Sequence, residues 1–213
     1  MNSAPTRIPL WLKISYTAFL ALMIPIYWVN YGPTNFLYFC DVALLVTLVG
    51  IWRENALLIS MPAVGILIPQ ALWCLDFLVQ LCGGKLTGMT GYMFDESKSL
   101  LLRGLSLFHG WLPFLLFYLV RKLGYDRRAL LGWSLLSLGL CLIAYFLLPP
   151  AGAVLANPQH PRNVNYVFNL LSDEVPQSWM PPLPYLGAWI AALTVIAYVP
   201  THFLLKKLCP PVL

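Results

Sequence analysis

ALLISMPAVGILIPQALWCLDFLVQLC, residues 56–82, decides the fold. Apolar residues fill this stretch on every side, and Asp76 is its single charged residue. A helix that is apolar all round belongs in a large core or in lipid, and crossing about 30 Å of hydrocarbon takes about 20 such residues. Five further stretches read the same way: Leu10 to Asn30, Asn35 to Trp52, Leu100 to Val120, Ala129 to Leu148 and Pro184 to Leu205. The expectation is an all-α, polytopic membrane bundle of six transmembrane helices forming a single integral membrane domain over residues 1–213. The composition agrees: 60% of residues are apolar and 10% charged, which excludes a disordered chain and argues against a water-soluble globule.

Lysine and arginine placement sets the expected orientation. Arg7, Lys13, Arg53, Arg121, Lys122, Arg127, Arg128, Lys206 and Lys207 fall at one end of the spans, against Lys85, Lys98, Arg103 and Arg162 at the other. The heavily basic end is expected to be cytoplasmic, with both termini there, in a bacterial inner (plasma) membrane. The net charge of +5 then reads as a topology signal. Nucleic acid is not an expected partner, because no basic run is interleaved with aromatic residues. The first apolar stretch carries Lys13 and Pro25 and ends in Tyr27-Trp28-Val29-Asn30 with no small-residue cleavage site, so it reads as a retained helix.

Short connections, 31–34 and 53–55, force antiparallel neighbours among the first three helices. Two outer loops are long, 83–99 and 149–183. The first contains four glycines; the second is rich in proline and holds His160, Arg162, Asn163, Asn165 and Tyr166. Both sit on the side where the intramembrane polar residues cluster, which suggests a lid or vestibule. No internal repeat and no matching pair of broken helices is visible, which argues against an inverted-repeat transporter.

Charge inside hydrocarbon needs a partner or a purpose. At about 1.5 Å per residue, Asp41 and Asp76 each lie about 9 Å below the outer ends of their helices, Arg103 about 5 Å, His109 about 14 Å and Gln70 about 18 Å. Asp41 is the hardest to assign to structure alone, because its neighbours from Phe39 to Val46 are nearly all apolar. Arg103, Ser106 and His109 recur every three residues and line one helix wall; Trp73, Asp76 and Gln80 form a similar stripe. A carboxylate facing Arg103 or His109 would form an ion pair or orient the imidazole. Cys40, Cys74, Cys82, Cys141 and Cys209 are scattered and odd in number, so no disulfide framework is expected. There is no zinc signature, phosphate loop, nucleophile elbow or dinucleotide fingerprint, and no metal or cofactor is expected.

FLYFC (Phe36 to Cys40), GILIPQALWCLD (Gly65 to Asp76) and FHG (Phe108 to Gly110) together resemble the bacterial YwaF-like integral membrane family. That family is related to a eukaryotic intramembrane acyltransferase of ether phospholipids. The resemblance covers about a third of the chain; Tyr38 stands where the family has His, and Cys74-Leu75 where it has Thr-Pro. It implies an intramembrane lipid acyl-transferase or acyl-hydrolase acting on membrane lipids. Cys40 would be the acyl-accepting nucleophile, His109 its base and Asp76 an orienting acid. Asp41, Gln70, Arg103 and Ser106, grouped with these by depth and helical spacing, are the expected substrate-binding residues. Two other classes stay open: a small proton-linked transporter or channel using Asp41, Asp76 and His109 as a relay, and a non-catalytic accessory subunit with a protein partner in the membrane.

Overall fold

A computed structural model describes residues 8–212. Arg7, one of the residues used for orientation, lies outside the described range. Every regular element among the described residues is helical. In chain order they are α1 (Leu10–Tyr31), α2 (Phe39–Arg53), α3 (Ala56–Leu81), α4 (Leu100–Ser106), α5 (Phe108–Leu123), α6 (Ala129–Leu147), α7 (Pro182–Ala192) and α8 (Val199–Leu208). A π-helical stretch, Leu193–Tyr198, joins α7 to α8 and absorbs Pro200, which lacks the N–H an α-helix would use there.

Five helical spans are long and apolar enough to cross a membrane: α1 (Leu10–Tyr31), α3 (Ala56–Leu81), α4 and α5 together (Leu100–Leu123), α6 (Ala129–Leu147), and α7 to α8 together (Pro182–Leu208). The chain thus has the build of an integral membrane protein. The stretch expected at Asn35 to Trp52 differs. Pro33–Leu37 forms a 3₁₀ turn, Tyr38 is extended, and α2 runs for only 15 residues. At 1.5 Å per residue that is about 22 Å, short of the hydrocarbon thickness. The late start has a visible cause: the Asn165 side chain accepts a hydrogen bond from Phe39 N and donates to Leu37 O, both at 2.9 Å. The second outer loop therefore holds the chain ahead of α2 in a non-α conformation.

The most buried span, α3, packs against α2, α5, α6 and the α7–α8 helix. Its centre is built for close approach. A Cβ on Gly65 would lie 1.8 Å from Trp133 Cε2, so only glycine lets the α6 indole rest on α3. The α2–α3 hairpin is equally tight: a Cβ on Gly50 would lie 2.7 Å from Ile59 Cδ1. At the basic end, Lys13 Nζ reaches Glu54 Oε1 at 2.7 Å and ties α1 to the α2–α3 turn. Nearby, Tyr125 donates its N–H to Pro210 O and pairs its hydroxyl with His202 Nδ1 at 2.6 Å, fastening the α5–α6 turn to the end of α8.

Candidate functional site

The span expected as one helix from Leu100 to Val120 is broken at Leu107, and that break positions a histidine. The Ser106 hydroxyl back-bonds to Leu102 O at 3.3 Å, a contact that bends helices. Leu107 N then bonds Gly104 O, and Gly110 N bonds Leu107 O in place of the carbonyl one residue earlier. Ser106 O is left available and takes His109 Nδ1 at 2.8 Å. A carbonyl only accepts, so Nδ1 carries the proton and the neutral ring keeps its lone pair on Nε2. The ring is clamped between Trp73 (centroids 4.7 Å apart, 15° between planes) and Phe108 (4.0 Å, 26°). Pro113 cannot donate to His109 O; the Cys74 thiol does so at 3.6 Å.

Cys40 and Asp41 lie in the first turn of α2. The Cys40 thiol donates to Asp41 Oδ2 at 3.5 Å. Ser106 shares a 2.7 Å hydrogen bond with the Tyr27 hydroxyl. Cys40, Asp41, Ser106 and His109 all line one vestibule of about 440 Å³. Lys98 of the first outer loop and Gln159, His160 and Arg162 of the second line it as well. His160 seats over Gly32, where φ is +76° and a Cβ would lie 3.1 Å from the imidazole. Arg162 donates to Ala153 O at 3.1 Å and pairs with Glu174 at 3.4 Å.

The other expected site residues go elsewhere. Asp76 pairs with neither Arg103 nor His109 among the described residues. Its carboxylate accepts from Thr87 N and Oγ1 (2.6 and 2.9 Å), Gly88 N (3.0 Å) and Thr90 N and Oγ1 (2.9 and 2.6 Å). The physical reason is local: Gly83 and Gly88 adopt positive φ, which folds the first outer loop back over the end of α3 with its N–H groups converging on the nearest acid. The whole Trp73–Asp76–Gln80 stripe serves this loop, since Trp73 Nε1 donates to the Tyr92 hydroxyl at 3.2 Å and Gln80 accepts from Thr90 at 3.0 Å. Arg103 donates to Met93 O at 3.3 Å and leaves its Nε without a partner. Gln70 is buried with neither amide atom hydrogen-bonded, and it does not line the vestibule.

The structure adds residues whose role the sequence did not show. Asn163 and Asn165 are both buried with positive φ, a conformation asparagine tolerates better than most residues. Asn163 organises the second loop, donating to Asn169 O and Asp173 Oδ1 and accepting from Phe168 N. Asn165 joins that loop to the residue before Cys40. The sequence signal was an Asn-x-Asn pair within a proline-rich loop. Among the described residues no three His, Cys, Asp or Glu side chains are grouped to hold a metal ion. Comparison with protein-family models, with curated proteins and with solved structures finds no match.

Proposed function

We propose that this chain is an intramembrane lipid acyl-transferase or acyl-hydrolase, with Cys40 as nucleophile and His109 as its base. The observation that carries the reading is the shared vestibule: the Cys40 thiol and the His109 ring both line it, and the ring is held in the tautomer that leaves Nε2 as acceptor. In the proposed step Nε2 takes the thiol proton and the sulfur adds to an acyl-ester carbonyl. The ester C–O bond breaks, and the departing lipid alkoxide takes the proton back from His109, leaving a thioester on Cys40. An acceptor hydroxyl, or water, then releases the acyl group by the reverse sequence. Asp76 serves this site indirectly, by anchoring the loop that carries Tyr92 and Lys98 to the vestibule.

The membrane setting belongs to the same proposal. The basic ends, including Arg121, Lys122, Arg127, Arg128, Lys206 and Lys207, face the cytoplasm of a bacterial plasma membrane, and so do both termini. α2 then acts as a short sixth crossing whose N-terminus lies within the outer half, where non-helical backbone is tolerated beside a water-accessible cavity. Membrane lipids are the substrates, and their acyl chains enter between helices.

The test uses the purified chain in vesicles of acyl-radiolabelled phosphatidylethanolamine and phosphatidylglycerol, quenched in acid. Hydroxylamine-labile label on the wild type, absent in Cys40→Ala and much reduced in His109→Ala, is the expected result. Label that persists in Cys40→Ala, or no label on the wild type, overturns the mechanism. A second reading, a proton-linked transporter or channel, is favoured by one observation. Gln70 is buried in the middle span with neither amide atom hydrogen-bonded. Proton flux into liposomes that Asp41→Asn abolishes would support it.

A further inference from the structure

Asp41 is 3% exposed, its Oδ1 makes no hydrogen bond, and its Oδ2 meets the Cys40 thiol at 3.5 Å. No lysine or arginine among the described residues forms an ion pair with it. A buried carboxylate without a charged partner is costly. Yet this one lines a vestibule whose walls are unusually aromatic: Tyr27, Tyr31, Tyr38, Trp73, Tyr92 and Tyr166. Aromatic faces attract cations, most strongly where water is scarce. The lysine and arginine that line the vestibule do not pair with Asp41. Arg162 is held by Glu174 and Ala153 O, and the Lys98 ammonium rests 5.3 Å from the centre of the Tyr31 ring. Lys98 also demonstrates that a ring of this wall accepts an ammonium group.

We infer that the vestibule binds an organic ammonium group, with Asp41 as its counter-ion and the aromatic rings as its walls. The donor set selects this class of cation. A divalent metal wants six or more oxygen ligands, or at least several carboxylates; of the three acids that line the vestibule, Asp173 is held by Asn163 and Glu174 by Arg162, and no three acidic, His or Cys side chains among the described residues group to hold a metal, so Asp41 stands alone among the rings, which suits a weakly hydrated alkylammonium. The cation can belong to a lipid headgroup or to a free amine, and the recognition chemistry is the same. The inference deepens the acyl-transfer reading, and one consequence rests on it. A negative Asp41 beside Cys40 opposes thiolate formation, since like charges disfavour each other's ionised forms. An ammonium on Asp41 removes that opposition, so binding of the cationic substrate would itself prepare the nucleophile.

The experiment has two arms and needs no turnover. In the first, the full chain in phosphatidylglycerol nanodiscs is titrated calorimetrically with tetramethylammonium chloride, against sodium chloride at equal ionic strength. In the second, the chain is purified from mixed phosphatidylethanolamine, phosphatidylcholine and phosphatidylglycerol, and its retained lipids are read by native mass spectrometry. Saturable tetramethylammonium binding, weakened at least tenfold in Asp41→Asn and restored in Asp41→Glu, supports the site and a free amine as ligand. Enrichment of the ammonium lipids over phosphatidylglycerol, lost in Asp41→Asn, supports the site and a headgroup as ligand. Glu96→Gln, exposed on the first outer loop and outside the vestibule lining, is the unaffected control. Wild-type protein that shows neither signal overturns the inference whether or not the variants fold, and so does binding that Asp41→Asn leaves unchanged. Ammonium binding without a hydroxylamine-labile label removes the acyl-transfer reading and keeps the site; label without ammonium binding does the reverse.

Discussion

Replacing Asp76 by asparagine tests whether this acid anchors the first outer loop. Asparagine preserves the shape and one oxygen, so the bonds from Thr87 and Gly88 to Oδ1 can persist in neutral form. The second oxygen becomes an NH₂ group, which faces Thr90 N as donor against donor. The Thr90 hydroxyl can rotate to accept, but its buried N–H is left without a partner. An unsatisfied buried N–H costs about 1–3 kcal/mol, and bonds that lose charge assistance weaken by about half. Together these give about 2–4 kcal/mol of local destabilisation, concentrated where the loop meets α3. At 1.4 kcal/mol per factor of ten, amide exchange in residues 87–90 should accelerate about 30- to 700-fold. Hydrogen–deuterium exchange by mass spectrometry, in detergent micelles at fixed pH, reads this directly on peptides covering residues 83–99. The rest of the bundle should keep its protection. Exchange within threefold of wild type in that segment would refute the anchoring role.

Other substitutions probe the remaining elements. Gly65→Ala should lower the apparent Tm in mild detergent by several degrees, because the added Cβ overlaps the Trp133 indole and overpacking costs about 1–3 kcal/mol; an unchanged melting curve would contradict the α3–α6 contact. Asn165→Ala removes the side chain that holds Leu37 and Phe39, a loss of about 1–3 kcal/mol. It should speed maleimide labelling of Cys40 about tenfold, and a rate equal to wild type would count against the loop's control of α2. The Arg128 guanidinium holds the Asp126 carboxyl below its ordinary value, at the turn before α6. A depressed carboxyl stabilises the fold above its unfolded pKa of about 3.9 and loses that effect as pH falls through the lower folded value. Asp126→Asn should therefore be less stable than wild type at pH 6, with the gap closing below about pH 4; a gap independent of pH would overturn the assignment.

The sequence carried the class of protein because hydrocarbon is an indiscriminate solvent: any stretch as apolar as residues 56–82 must avoid water, whatever it packs against. It also carried four members of the vestibule, Cys40, Asp41, Ser106 and His109. Ionisable or reactive groups stand out against so uniform a background, and helical spacing predicts their depth. The partners of those groups were not legible, because direction is a tertiary property. Depth alone placed Asp76 beside Arg103 and His109, whereas the glycine-rich loop supplies it with closer N–H donors. The shortness of α2 depends on Asn165, more than a hundred residues away in the chain, and the lone pair of His109 depends on a helix break that frees one carbonyl. Composition and period determine which segments leave water. Which way each buried polar group turns is decided by the nearest partner that can satisfy it, and folding alone brings that partner close.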